Sequence, residues 1–167
     1  MKAIFLLFVS LLFVPISFSQ TIEDFRKSAN KKFENSDYKG AIVDYTKAIE
    51  LDPNMAVLYF NRAISREELK DYQGAVYDYS QAIELSPDLP FVYLSRGELK
   101  LQLEDYRGAI ADFTKEIESD SNSFKSYYLR GLTKIIINKR DSGCLDLSRA
   151  GELGYSEAYD AIKDYCN

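Results

Sequence analysis

Histidine is absent from all 167 residues. That excludes Ser-His and Cys-His nucleophile systems and the usual imidazole metal ligands. Cysteine occurs twice, at Cys144 and Cys166, which is too few for a thiolate metal site. Positive charge is scattered and outnumbered, with 21 Lys and Arg against 26 Asp and Glu, a net charge of −5. Without a basic run the chain lacks the phosphate-neutralising surface that supplies most nucleic-acid affinity, and anionic lipid would repel it. A negative balance favours solubility and says little about partners. The one long apolar run, Ala3 to Ile16, is short of the roughly 20 residues a membrane span needs.

That run follows Lys2, is interrupted by Pro15, and leads to Ser17-Phe18-Ser19 before Gln20. A short positive start, an apolar stretch and small residues three apart have the layout of a secretory signal peptide. Residues 1–19 are therefore expected to be a cleaved leader, and the mature chain to start at Gln20 in a periplasmic or secreted location. An uncleaved anchor is the alternative. No cysteine stands near the cleavage site to carry a lipid. Cleavage would remove one basic residue and no acid, taking the net charge from −5 to −6.

What the sequence has in abundance is itself. "DYKGAIVDYTKAIELDP" at Asp37, "DYQGAVYDYSQAIELSP" at Asp71 and "DYRGAIADFTKEIESDS" at Asp105 start 34 residues apart, and the second and third each match the first at eleven of seventeen positions. A fixed period of this kind signals stacked units that bury their apolar sides on one another. Each copy reads as a helix. Asp37, Asp71 and Asp105 can accept from first-turn N–H groups. Ala41, Tyr45 and Ala48 recur at helical spacing, with Ile42 and Ile49 widening the stripe. Pro53 and Pro87 stop the helix. The columns Ala41/Ala75/Ala109 and Gly40/Gly74/Gly108 are expected to let a neighbouring helix approach, with Tyr45/Tyr79/Phe113 filling the space between. The intervening segments repeat in register, with Tyr59/Tyr93/Tyr127 four residues before Ala63/Gly97/Gly131. Asp88, ahead of Pro90, is expected to cap one of them. The unit is then two antiparallel helices.

These features resemble the tetratricopeptide repeat family: the 34-residue period, Tyr59 before Ala63, then Asp71-Tyr72, Ala75, Tyr79, Ala82 and Pro87. The resemblance covers about Thr21 to Gly154. It implies an all-α, right-handed superhelical solenoid of antiparallel helix pairs, with a concave groove that usually holds a peptide or protein. We divide it into repeats at 21–55, 56–89, 90–123 and 124–154, followed by a capping helix at 155–167, nine helices in all. Departures gather toward the end. Glu116 stands for a small residue, Ser121 for proline, and Ser142-Gly143-Cys144 for Gly-Ala-Ile.

Three sets of side chains invite a role. Cys144 and Cys166 come level if the last repeat helix and the capping helix are antiparallel, so a disulfide is expected; two buried free thiols are the alternative. Arg62/Arg96/Arg130 and Asp44/Asp78/Asp112/Asp146, with a base at Lys32, Arg66, Lys100 and Lys134, read either as an anion site or as a structural ladder of ion pairs. Recurrence in every repeat favours structure. At about 100° per residue, Val57, Phe60 and Ile64 lie away from Tyr59, Ala63 and Arg66. Phe91, Leu94 and Glu98, then Lys125, Tyr128 and Leu132, correspond, and Leu101 and Ile135 extend the strip. In the first unit it reads Glu23, Arg26, Asn30 and Glu34. We expect this strip to line the groove, polar at its N-terminal end and apolar toward its C-terminal end. The alternative is that individual members complete the core.

Some proteins of this family hold a partner's C-terminal carboxylate with five basic or amide residues. Arg26, Asn30 and Asn61 match three places, but Phe91 and Ser95 occupy the two that need bases, so that clamp is rejected. The expected function is an adaptor or scaffold of the cell envelope that takes a helical or extended protein segment with apolar anchors, as a monomer or weak homo-oligomer. The alternative is a subunit of an oligomeric or envelope-assembly complex that buries the same groove permanently. No catalysis, cofactor or metal is expected, because the abundant Asp, Glu and Tyr all sit in repeating columns.

Overall fold

The computed structural model describes residues 16–166. Among them run nine helices and no strand: α1 (Ile16–Glu34), α2 (Tyr38–Leu51), α3 (Ala56–Glu68), α4 (Tyr72–Leu85), α5 (Val92–Gln102), α6 (Tyr106–Ser119), α7 (Phe124–Ile136), α8 (Arg140–Glu152) and α9 (Glu157–Tyr165). Each packs on the helices before and after it in sequence, so the chain stacks as a row of hairpins closed by α9. The expected leader lies outside the described residues save for 16–19, whose backbone opens α1. No helix of the described residues is long and apolar enough to cross a membrane.

The second helix of each repeat starts as its sequence dictates. Asp37, Asp71 and Asp105 cap α2, α4 and α6 by accepting from the N–H of Gly40, Gly74 and Gly108 at 3.0–3.1 Å. This corrects the role expected for those glycines. A Cβ on any of them would stand about 2 Å from its own capping carboxylate, so the column makes room for the cap and not for a neighbouring helix. One residue before each cap the chain is left-handed, at Ser36, Lys70 and Glu104. Asn138 repeats this before α8, and Gly154 (φ 95°) is left-handed two residues before Ser156, the N-cap of α9.

Small-against-large packing fills the hairpins. Ala41, Ala75 and Ala109 are fully buried, with Tyr45, Tyr79 and Phe113 all but enclosed. A side chain at Gly97 would strike the Phe113 ring at 2.7 Å, so that glycine is what admits the ring. Each aromatic side chain buried this way contributes about 2–3 kcal/mol. The tightest crossing lies between α7 and α8. A Cβ on Gly143 would stand 2.7 Å from both the Gly131 carbonyl oxygen and Ile135 Cγ1. Gly143 takes the place of the alanine found in the other repeats because here backbone meets backbone.

The charged columns form the ladder. Arg62 donates bidentately to Asp78 at 2.8 and 2.7 Å, Arg96 to Asp112 at 2.9 and 2.6 Å, and Arg130 to Asp146 at 2.8 and 2.8 Å. A second base one turn on completes each rung: Arg66, Lys100 and Lys134. The same arginines reach back to a hydroxyl of the preceding repeat, Thr46, Ser80 and Thr114, at 3.0–3.1 Å. Their guanidinium groups lie over Tyr59, Tyr93 and Tyr127. In the first hairpin Ser28 replaces the arginine, and Asp44 accepts from Lys32 and Ser28 at 2.6 Å each. Burial pushes the Asp44 carboxyl up, but those two donors outweigh it and hold it below its ordinary value.

One start departs from its expectation. Asp88 does not cap α5. The N-cap is Phe91, left-handed at φ 63° and without a side-chain cap. The buried Glu116 on α6 lies beside the Leu94 backbone in the first turn of α5; burial pushes its carboxyl up, and that backbone pulls it part of the way back. At the far end Cys144 and Cys166 are joined, with Cα atoms 5.8 Å apart, and Arg140 donates to the Tyr165 carbonyl at 2.6 Å. Both links tie α9 to α8.

Two predictions follow from this packing. Asp78→Ala leaves Arg62 buried without its partner and should cost about 3–5 kcal/mol in urea unfolding; Arg62→Met with Asp78→Leu should cost clearly less. Gly143→Ala restores the repeat's usual residue and helix propensity, yet the clash should leave a net loss of about 1–2 kcal/mol, read in the same assay.

Candidate partner-binding groove

The first helices of the four hairpins, α1, α3, α5 and α7, line one face, and two cavities open on it. The first, about 280 Å³, is lined by Asn30, Phe33 and Glu34 of α1, Tyr45 of α2, and Asn61 and Ile64 of α3. The second, about 480 Å³, lies across α3, α5 and α7, with Glu67, Glu68, Glu98, Leu99, Leu101 and Leu129 among its walls. Sites of this size are usual for a few side chains of a bound segment.

Several residues picked from the sequence meet here. Asn30 accepts from the Tyr45 hydroxyl at 2.6 Å, and Asn61 lines the same cavity. Phe60, half-buried, packs edge-on to Tyr79 at 5.5 Å, and Ile64 also leans on the core. Val57 is exposed near the start of α3. Leu101 and Glu98 line the second cavity, and Glu98 is paired with Lys125 of the next repeat. Arg26 is held by Glu23 through two bonds of 2.8 Å. Leu94 and Leu132 are half-buried on α5 and α7.

Others lie elsewhere. Phe91 precedes α5, is 63 % exposed, and edges a different cavity with Asp88, Tyr93, Glu116 and Asp120. The helical projection fails for it because the helix has not yet begun. Ile135 sits against Gly143 in the α7–α8 crossing, where the absent side chain draws it inward. Tyr128 is not a free anchor: Tyr155, from the loop before α9, meets it edge-on at 4.9 Å and stacks on Phe124 at 5.3 Å. The strip therefore ends in an aromatic cluster of Phe124, Tyr128 and Tyr155.

Sequence reasoning passed over Glu67 and Glu68. Glu67 is half-buried and accepts from the Tyr79 hydroxyl at 3.1 Å. Burial pushes its carboxyl up, with Glu98 and Glu68 adding repulsion against the pull of Tyr79 and Lys125. Tyr79, buried beside it, is pushed far above the ordinary phenol value, by burial first and Glu67 second. The available signal was a Glu-Glu pair at the end of α3, one turn beyond Ile64.

Comparison with known proteins agrees with this architecture. A family model described as TPR repeat matches residues 29–70 and 68–104. Residues 29–104 carry tetratricopeptide repeats. It is 46% identical over 48 residues to the serine/threonine-protein phosphatase 5 of Arabidopsis thaliana, a stretch that is 29% of this chain and 9% of that protein. The structure of MamA superposes with a TM-score of 0.83 at 19% identity, over 86% of this chain and 80% of that one, which shows a shared all-α repeat fold. The first TPR of Spaghetti (RPAP3), bound to the HSP90 peptide SRMEEVD, superposes with a TM-score of 0.67 at 28% identity, over 72% of this chain and 95% of that one.

The raised Glu67 carboxyl sets a pH dependence. It binds its proton more tightly folded than unfolded, so its contribution is most favourable at low pH. That contribution is lost as pH rises from the unfolded value of about 4.3 through the higher folded one. Glu67→Gln removes this term. The stability of wild type relative to Glu67→Gln should therefore fall between pH 4 and pH 7, measured as the shift between urea midpoints.

Proposed function

We propose that this chain is an exported adaptor of the cell envelope that holds a protein or peptide segment along α1, α3, α5 and α7. The observation that carries the reading is the pair of cavities on that one face, each walled by apolar side chains beside fixed polar groups. The peptide-bound neighbour supports it, because a segment is held there on the same architecture. The display is rigid: the ladder and hairpin packing set the groove before a partner arrives, so little receptor entropy is lost on binding. No bond is made or broken. Export is supported by the apolar leader-like stretch and by the Cys144–Cys166 bond, since disulfides persist in oxidising compartments.

A second reading, a subunit of a larger assembly, is favoured by another column. Val43, Tyr77 and Leu145 recur at the same place on α2, α4 and α8, and are 51 %, 59 % and 72 % exposed. Apolar side chains left out in register suit a permanent contact. Light scattering of the mature protein separates the two, with an obligate oligomer favouring the second.

The adaptor reading is tested by crosslinking in the native envelope. A partner captured by wild type should be lost with Phe60→Glu and with Val57→Glu, while helicity by circular dichroism stays unchanged. Phe60→Glu touches Tyr79; Val57→Glu, on an exposed position, keeps the test independent of folding. Capture that survives both substitutions overturns the groove.

A further inference from the structure

The charge of the groove points to the chemistry of its occupant. Around the second cavity stand three carboxylates, Glu67, Glu68 and Glu98. The cations beside them are Lys70, at the rim after α3, and Lys125, which is engaged by Glu98. At the N-terminal end the one guanidinium of the strip, Arg26, is engaged by Glu23, and Glu34 adds a further acid to the first cavity. Acid thus exceeds base along the strip. Glu67 is also held in place: the Tyr79 hydroxyl donates to it, and Phe60 packs on the Tyr79 ring.

We propose, resting on the groove reading above, that the partner segment carries a lysine or arginine beside an apolar residue. The cation sits between Glu67 and Glu98, and the apolar residue sits against Leu101 and Leu129. Charge complementarity selects this occupant over an acidic tail, which would meet the like charge of Glu67, Glu68 and Glu98. A second copy of this acidic chain fits less well for the same reason. The half-buried Glu67 carboxylate is poorly solvated and repelled by its neighbours, so an incoming cation relieves a cost already present in the free protein. Lys125 would give up part of its contact with Glu98 to the newcomer, and as an exposed side chain it can do so at small cost.

The test pans a randomised dodecapeptide library on the full chain and measures the enriched peptides by fluorescence polarisation. The panel is wild type, Glu67→Gln, Glu98→Gln and Phe60→Glu, each checked for its thermal midpoint. The expected peptides carry Lys or Arg next to an apolar residue. They should bind about tenfold more weakly to each Gln variant, more weakly still in added salt, and not at all to Phe60→Glu. Glu98→Gln keeps the outcome readable if Glu67→Gln disturbs Tyr79. Acidic or uncharged peptides that depend on Phe60 but not on Glu67 or Glu98 overturn the charge assignment and leave the groove standing. Peptides that bind all four proteins equally, or no enrichment at all, overturn both.

Discussion

Each repeat is held to the next by one kind of side chain. The arginine at the centre of a first helix grips the aspartate of its own hairpin with two nitrogens and reaches a hydroxyl of the previous hairpin with a third. Arg62 and Asp78 are nearly or wholly enclosed, 7 % and 0 % exposed, so neither can turn to water for a substitute partner. A planar fork suits this arrangement where a lysine would not, because only guanidinium offers parallel donors to a carboxylate and a further one at a fixed angle. Among the described residues no fully enclosed side-chain nitrogen or oxygen lacks a partner. The ladder therefore fixes the register of the stack, and the register places α1, α3, α5 and α7 on a common face.

The candidate groove follows from that register, and its chemistry varies from unit to unit where the ladder does not. Ladder and core residues recur at every period. The inward-facing residues change from Asn30 and Asn61 at one end, through Phe60, Glu67 and Glu98, to Tyr128 and Tyr155 at the other. The variable part of a repeat is the part free to be selected for a partner.

How much of this was legible in the sequence follows from how local each feature is. The period, the aspartate caps and the small-aromatic columns rest on short-range geometry, and all can be read by eye. So can the ladder, since a charge that returns in every unit has a structural explanation ready. What could not be read depended on contact between segments. Glu116 stands out as an oddity among small residues, but its burial beside the start of another helix is visible only once α5 and α6 lie side by side. Phe91 was projected onto a helix that starts one residue later. Ile135 turns toward α8 because Gly143 leaves a hollow there. Tyr128 is engaged by a tyrosine 27 residues further on. Glu67 looked like ordinary surface charge, because partial burial beside two other acids is a property of the stack and not of α3.

The two ends of the stack are closed unequally. At the C-terminal end a covalent bond and the Arg140 contact fasten α9 to α8, and the last rung is complete. At the other end Ser28 and Lys32 share the work that a guanidinium does elsewhere, and α1 leans on α2 with no cross-link. In a structure whose strength passes from neighbour to neighbour, opening starts where the link is weakest. Fraying is then expected to run from the first hairpin inward, and the half of the candidate face built from Asn30, Tyr45 and Asn61 to loosen first.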